Sequence, residues 1–303
     1  LLLFSNPATG GRNGMTIRIS KDFGKTWPIQ ELIYPLSSAY SNLAVTDDEK
    51  VLCLFEGGMS HYSKHGIALI RKNLKDLLKK RKLAVSQIPA EKMRWNMWRD
   101  RFNQFNKIAE KGDVDLLLIG DSITHFWQKN RMCKTDGQSV WDTEFSGIKV
   151  ANFGIGSDRT QHLLYRLQNG NLKNIQPKAV VLMIGTNNTT SGHSAYDIYL
   201  GTKSIIEEVQ KHCPKTKIFL YEIFPRIRNG KVADENNKRA NKLCKKLCDG
   251  KEVIHCSIYS QLLDSEEKPN KDIFFDGIHV NADGYKIWAK DIKKNLADLG
   301  VSL

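Results

Sequence analysis

From residue 113 onward the chain repeats one pattern five times, a short apolar run followed by a stretch with apolar residues at helical spacing. The runs are Val114 to Ile119, Lys149 to Phe153, Ala179 to Ile184, Lys217 to Tyr221 and Val253 to Cys256. Helical stretches follow from about Ser122, over Thr160 to Gln168, Ala195 to His212, Glu235 to Cys248, and from about Ala282 to Leu299. A continuous apolar run is what a parallel strand buried on both faces requires, and helical crossovers bring the chain back to the same sheet. The pattern predicts an α/β domain: a flavodoxin-like three-layer α/β/α sandwich with a five-stranded parallel sheet, spanning about 200 residues.

The carboxyl ends of such strands converge on one edge, where α/β folds place their ligands. Four polar segments fall at strand ends: Gly120-Asp121-Ser122, Asn152 to Asp158 (NFGIGSD), Gly185 to Asn188 (GTNN) and Asp276 to His279 (DGIH). Taken singly, Gly-Asp-Ser is an ordinary strand-to-helix corner, a lone histidine is usually structural, and Asn187 is a strand-end turn residue. Together they supply the parts of an acyl-transfer site. A serine hydroxyl needs a base, and histidine titrates in the right range. Asp276, three residues before His279, reaches Nδ1 across a short loop and fixes the tautomer. The Asn187 amide and the backbone N–H groups of Ser122 and Ser157 are candidates for the oxyanion hole.

These blocks carry a resemblance. From about Arg94 to Leu299 the chain resembles the SGNH (GDSL-type) hydrolases, and within them the branch of platelet-activating factor acetylhydrolase catalytic subunits and bacterial carbohydrate acetylesterases. Asn152 to Leu172 (NFGIGSDRTQHLLYRLQNGNL) is nearly that branch's signature. The resemblance implies Ser122 as nucleophile, Asp276 and His279 as its triad partners, Asn187 as oxyanion side chain, Asp121 in support, and no metal or cofactor. One position departs: the second oxyanion donor is usually glycine, and Ser157 stands there. A backbone donor tolerates serine if φ is not positive, with Gly154 and Gly156 expected to supply flexibility.

The head of the chain reads differently. Alternating runs at Met15 to Ile19, Leu43 to Val45, Val51 to Phe55 and Gly66 to Ile70, broken by Gly, Asn, Asp and Pro, predict an all-β segment over residues 1–72. Ser20 to Trp27 (SKDFGKTW) resembles the Asp box of sialidases, a hairpin turn held by Ser20 and Asp22 over Trp27. FSNPA at Phe4 to Ala8, Ser38 to Val45 and Cys53 to Glu56 extend the resemblance to the C-terminal end of a sialidase propeller. It implies Arg12 as a carboxylate-clamping arginine, Tyr40 as nucleophile and Glu56 as an orienting residue. A propeller closes only as a ring, so a remnant of this length is not expected to act as a sialidase. Residues 73–92 read as a Lys-rich linker with a short helix at Lys75 to Leu83, a boundary near residue 85, and a hydrolase domain over 93–303. Trp95, Trp98, Phe102, Phe105 and Ile108 form the inward stripe of a helix from Met93 to Lys111.

The net charge of +13 raises nucleic acid or anionic surfaces as partners. Much of the excess lies between Arg71 and Lys111, with KKRK at Lys79 to Lys82, and no nucleic-acid motif accompanies it. A solvated face is the reading, with acidic glycans left open. No stretch suits a membrane span. The start without Met suggests a piece of a longer protein, and the glycan theme an exported bacterial one. Cys53, Cys133, Cys213, Cys244, Cys248 and Cys256 show no metal-binding spacing and do not reveal a redox compartment. The expected activity is removal of O-acetyl groups from carbohydrate, with sialic acid or sialoglycans as substrate. Acetylated plant polysaccharide or lipid-like esters are the alternatives. So is an exo-sialidase parent that uses the second domain as a glycan-binding module.

Overall fold

The computed structural model describes the chain except residues 10–11, 21–22, 25–26, 28, 59–65, 79–83, 93–95, 129–136, 299 and 301–303. Asp22, Met93, Trp95, Cys133, Leu299 and the Lys79 to Lys82 run lie outside the described residues. Two compact units are present, Leu1–Asp100 and Arg101–Leu303.

In the first unit, β1 (Leu2–Thr9), β2 (Asn13–Ser20), β3 (Ile29–Val45), β4 (Lys50–Gly57) and β5 (Gly66–Asn73) pair antiparallel in chain order. Alternation sends Met15, Ile17 and Ile19 of β2 and Val51, Cys53 and Phe55 of β4 into one core. Leu54, Ile67 and Leu69 face out. The first half of β3 escapes the sequence reading, as does the full extent of β1, whose opening run is strand-like. Each contains proline, which usually argues against a strand. Pro7 is tolerated because β1 is an edge strand, and Pro35 because it falls where the β2–β3 register shifts between Tyr34 and Ser37. After β2 the Gly24 N–H donates to Ser20 Oγ at 2.8 Å, and the Trp27 ring centroid lies 5.9 Å from that of Phe4.

The stretch expected to be a solvated linker is partly packed. Helix α1 (Leu74–Leu78) adds Leu77 to the β core, and Ile88, Ala90 and Glu91 are buried. Helix α2 (Asn96–Lys111) buries Trp98 and Phe105, but Ile108 is exposed. Ala109, four residues after Phe105, takes the inward place instead.

The second unit alternates strand and helix. Its elements are β6 (Leu116–Gly120), α3 (Ser122–His125), α4 (Gly137–Glu144), β7 (Val150–Gly154), α5 (Thr160–Arg166), β8 (Ala179–Met183), α6 (Thr186–Thr190), α7 (Ala195–His212), β9 (Lys217–Tyr221), α8 (Gly230–Cys244), β10 (Val253–Cys256) and α9 (Ala282–Asp298). The sheet is parallel throughout, in the order β10-β9-β8-β6-β7. Counted from β6, this is the 2-1-3-4-5 order of flavodoxin-like folds, with its switch point between β6 and β8. Helix α3 is a single turn rather than a long helix, α8 starts five residues before Glu235, and α4 and α6 were not anticipated. Helix α6, TNNTT, has no apolar residue for periodicity to detect.

Aromatic packing fixes the last helix against the first turn. Trp127 lies 4.4 Å from the Tyr285 ring and 5.3 Å from Trp288, and the Tyr285 hydroxyl donates to Ile123 O at 2.7 Å. The segment before α9 is thereby held next to the residue that opens α3. Among the described residues, no helix is long and apolar enough to cross a membrane.

Candidate active site

The end of β6 is built for close approach. A Cβ on Gly120 would lie 2.2 Å from Thr124 Oγ1 and 2.4 Å from Met183 O, so only glycine lets the chain turn there. Asp121 is fully buried and caps α3 by accepting from Ile123 N at 3.0 Å. Ser122 is thus the first residue of a helical turn at the switch point. Its hydroxyl lies 2.7 Å from His279 Nε2, and His279 Nδ1 lies 2.8 Å from Asp276 Oδ2. Asp276 Oδ1 accepts the backbone N–H groups of Ile278 (3.0 Å) and His279 (2.8 Å). This arrangement leaves Nδ1 as the protonated nitrogen, facing the carboxylate, and Nε2 as acceptor for the serine.

Electrostatics fit a neutral base beside a charged carboxylate. Burial pushes the His279 imidazole below its ordinary value; Asp276 opposes this and Arg228 adds to it. Burial works to raise Asp276, but hydrogen bonds from the His279 backbone, its imidazole and Ile278 outweigh that effect and lower it. The Phe126 ring, 4.7 Å from the imidazole, closes one side.

The Asn187 amide donates to Asp158 O at 3.0 Å, which uses one of its two N–H bonds and leaves the other for a ligand. Ser157 differs from expectation. Its φ is +61°, because it occupies the third position of a turn closed by Asp158 N donating to Ile155 O at 3.2 Å. The left-handed conformation explains why glycine suits the position. Gly154 and Gly156 have no positive φ and do not supply the turn's flexibility. Gly154 instead permits contact, since a Cβ there would lie 2.3 Å from His125 N. Ser157→Gly should therefore stabilise the protein by about 0.5–1 kcal/mol, raising the melting temperature by about 1–3 °C in a thermal scan. A lower melting temperature would count against strain at Ser157.

Several buried polar residues support the site, of which the sequence reading placed only Asn152 in a site segment, without a role of its own. Arg166, fully buried, donates from Nε to Asp158 Oδ2 (2.9 Å), from Nη1 to Asn171 Oδ1 (3.0 Å) and from Nη2 to Gly120 O (3.4 Å). Asn152 donates to Thr124 O at 2.9 Å and accepts from Gly154 N at 2.9 Å, tying β7 to α3. His125 Nδ1 accepts from Gly156 N at 3.3 Å, and burial with the Arg101 and Arg166 charges brings its pKa down to about 3. Every residue of α5 is buried, including Arg166, a residue type that is almost never fully buried unless paired.

In the first unit, the Arg12 guanidinium lies 5.4 Å from the Tyr40 ring centroid, and both line an open groove of about 470 Å³ with Ser5, Asn6 and Ser41. Tyr40 and Glu56 line a neighbouring groove of about 290 Å³. Among the described residues, no group of three or more His, Cys, Asp or Glu could hold a metal ion, and Cys53, Cys213, Cys244, Cys248 and Cys256 are free.

The chain is similar to known proteins. Platelet-activating factor acetylhydrolase IB subunit alpha1 from Pongo abelii is 30% identical over 189 residues, covering 62% of this chain and 78% of that protein. Subunit alpha2 from Rattus norvegicus is 29% identical over 206 residues, covering 67% and 84%. A solved GDSL-like lipase from Bacteroides thetaiotaomicron shares the fold at a TM-score of 0.53 and 20% identity, covering 66% of this chain and 97% of that one. Residues 118–287, which hold Ser122, Asn187, Asp276 and His279, match the GDSL-like lipase/acylhydrolase family, and the chain belongs to that family.

Proposed function

We propose that the protein is a serine ester hydrolase that removes O-acetyl groups from carbohydrate, with sialic acid or sialoglycans as the substrate class. The observation that carries the hydrolase reading is the hydrogen-bonded line from Ser122 through His279 to Asp276. As Ser122 Oγ bonds to the acetyl carbonyl carbon, its proton passes to His279 Nε2, and Asp276 stabilises the imidazolium. The carbonyl oxygen becomes an oxyanion held by the remaining Asn187 N–H and by backbone N–H groups of Ser122 and Ser157. Collapse breaks the ester C–O bond, and His279 returns the proton to the leaving alcohol. A water then loses its proton to His279 and attacks the acetyl-serine. Acetate departs, and the proton returns to Ser122 Oγ.

The choice of carbohydrate is supported by the resemblance of residues 1–72 to the end of a sialidase propeller, with Arg12, Tyr40 and Glu56 grouped along adjoining grooves. Joining a deacetylase to such a segment is sensible chemistry, because an O-acetyl group on sialic acid obstructs sialidases. A lipid-like acetyl ester is the second reading, favoured by the names of the acetylhydrolase relatives. The full chain, with Ser122→Ala as control, should be assayed on p-nitrophenyl acetate, on 9-O-acetylated sialic acid and on an acetylated ether phospholipid. Serine-dependent acetate release from the first two is expected. Turnover of the phospholipid but not the sugar would move the substrate to the lipid class, and no serine-dependent turnover of any would end the hydrolase reading.

A further inference from the structure

The loop between β9 and α8 carries two arginines with opposite environments. Arg226 is buried. Its guanidinium donates to Thr186 O (3.0 Å), Thr186 Oγ1 (3.1 Å) and Thr190 Oγ1 (3.2 Å) on α6, and to Arg228 O (2.9 Å) and Asn229 Oδ1 (3.1 Å) within the loop. The loop is thereby tied to the helix that carries Asn187. A second tie runs to the other side of the site, where Ile227 N and Arg228 N both donate to Gly277 O, at 2.8 and 3.1 Å. Gly277 lies between the acid and the base, with φ +82°, and a Cβ on it would sit 3.1 Å from Arg228 N.

Held this way, the half-exposed Arg228 side chain places Nη2 3.5 Å from Asp276 Oδ2, the same oxygen that faces His279 Nδ1 at 2.8 Å. We propose that Arg228 is a positioning residue that acts through Asp276: a second counter-ion that shares the carboxylate with His279 and extends the working range of the site toward acid. The proposal rests on the reading of Ser122, His279 and Asp276 as the hydrolytic triad.

The physical argument concerns one proton. The imidazolium formed during attack is stabilised by Asp276, and a guanidinium on the same carboxylate both weakens that pull and repels the new charge. Fewer imidazoles are then protonated at a given acidic pH, so more sites hold a neutral base. The other groups around the imidazole do not compete with this effect. Ser122 Oγ and the rings of Phe126 and Phe275 are uncharged. His125, beside Phe126, is kept neutral by its own depressed pKa. The Asp121 carboxylate caps α3, and the Arg226 donors are directed at the loop and α6. Among the described residues, Asp276 and Arg228 are the charges that act on His279, in opposite directions.

The sign follows directly. Removing the Arg228 charge raises the pKa of His279, so the acid limb of kcat/KM moves to higher pH while the alkaline plateau stays. The test compares the full chain with Arg228→Lys, Arg228→Gln and Arg228→Glu, measuring the pH profile on p-nitrophenyl acetate and the NMR titration of the His279 imidazole. Lys should match the native midpoint, Gln should raise it by about 0.3–1 unit given the partial exposure of the pair, and Glu should raise it further. A half-unit rise makes Arg228→Gln about threefold slower below both midpoints, and equal to native well above them. Identical midpoints in all four proteins would overturn the proposal, as would a pH-independent loss shared by Lys and Gln. An NMR shift in the expected order without any serine-dependent hydrolysis would uphold the Arg228 coupling and remove the hydrolase reading instead.

Discussion

Ser122→Ala should lower kcat on p-nitrophenyl acetate by about 10⁴- to 10⁶-fold. The size follows from the geometry. The Ser122 hydroxyl is the group that meets His279 Nε2, at 2.7 Å, and without it the base has only water to activate. The oxyanion donors stay in place in this variant, so a residual rate above the uncatalysed reaction is expected. Asn187→Ala should give the complementary result, a loss of about 100- to 1,000-fold with the nucleophile intact. Ser122 is nearly buried and loses one oxygen atom in the change, so the stability of Ser122→Ala should stay within about 1 kcal/mol of native. Burst kinetics supply a second check: release of p-nitrophenol ahead of acetate in the native protein, and no burst in the variant. A Ser122→Ala protein with more than a tenth of native activity would move the chemistry to another residue.

The sequence and the structure agree best where the pattern is dense. All five parallel strands lie within two residues of their apolar runs, because a strand buried on both faces leaves no room for polar interruption. Agreement weakens where proline or polar residues are accommodated by context. Pro7 and Pro35 concealed strand segments that an edge position and a register shift make tolerable. At the site, the fold brings together Ser122, His279 and Asp276, which were singled out by their chemistry; Ser122 follows β6 as expected, but Asp276 and His279 lie in the loop before α9 and not at a strand end. The residues behind them were not so singled out. Arg166, Asn152, His125 and Arg226 resemble surface residues by type, and only the folded chain reveals that their partners are backbone carbonyls and buried carboxylates. Ser157 failed for a related reason, since a positive φ is imposed by the Ile155–Asp158 turn and leaves no trace in the identity of the serine.

The concealed layer also sets the second large expected effect. Arg166→Gln should destabilise the protein by about 3–5 kcal/mol, because it leaves the fully buried Asp158 carboxylate without its closest cation. Burial depresses the Arg166 guanidinium, and Asp158 opposes that depression, as expected of a pair that is favourable only while both members are present. Arg101 also acts on Asp158, which argues for the lower half of the range. The consequence reaches catalysis through the backbone: Asp158 O anchors the Asn187 amide, and Arg166 also donates to Gly120 O, two residues before Ser122. Loss of the arginine should therefore reduce kcat more than it changes KM, since the affected groups act chiefly on the transition state. Pairing it with Asp158→Asn removes the stranded charge and should recover at least half of the lost stability in urea unfolding, while Asp158→Asn leaves the backbone carbonyl that holds Asn187 in place. A double variant as unstable as the sum of the two single ones would show that the two side chains contribute independently, and that the buried ion pair is not what holds Asp158 O against the Asn187 amide.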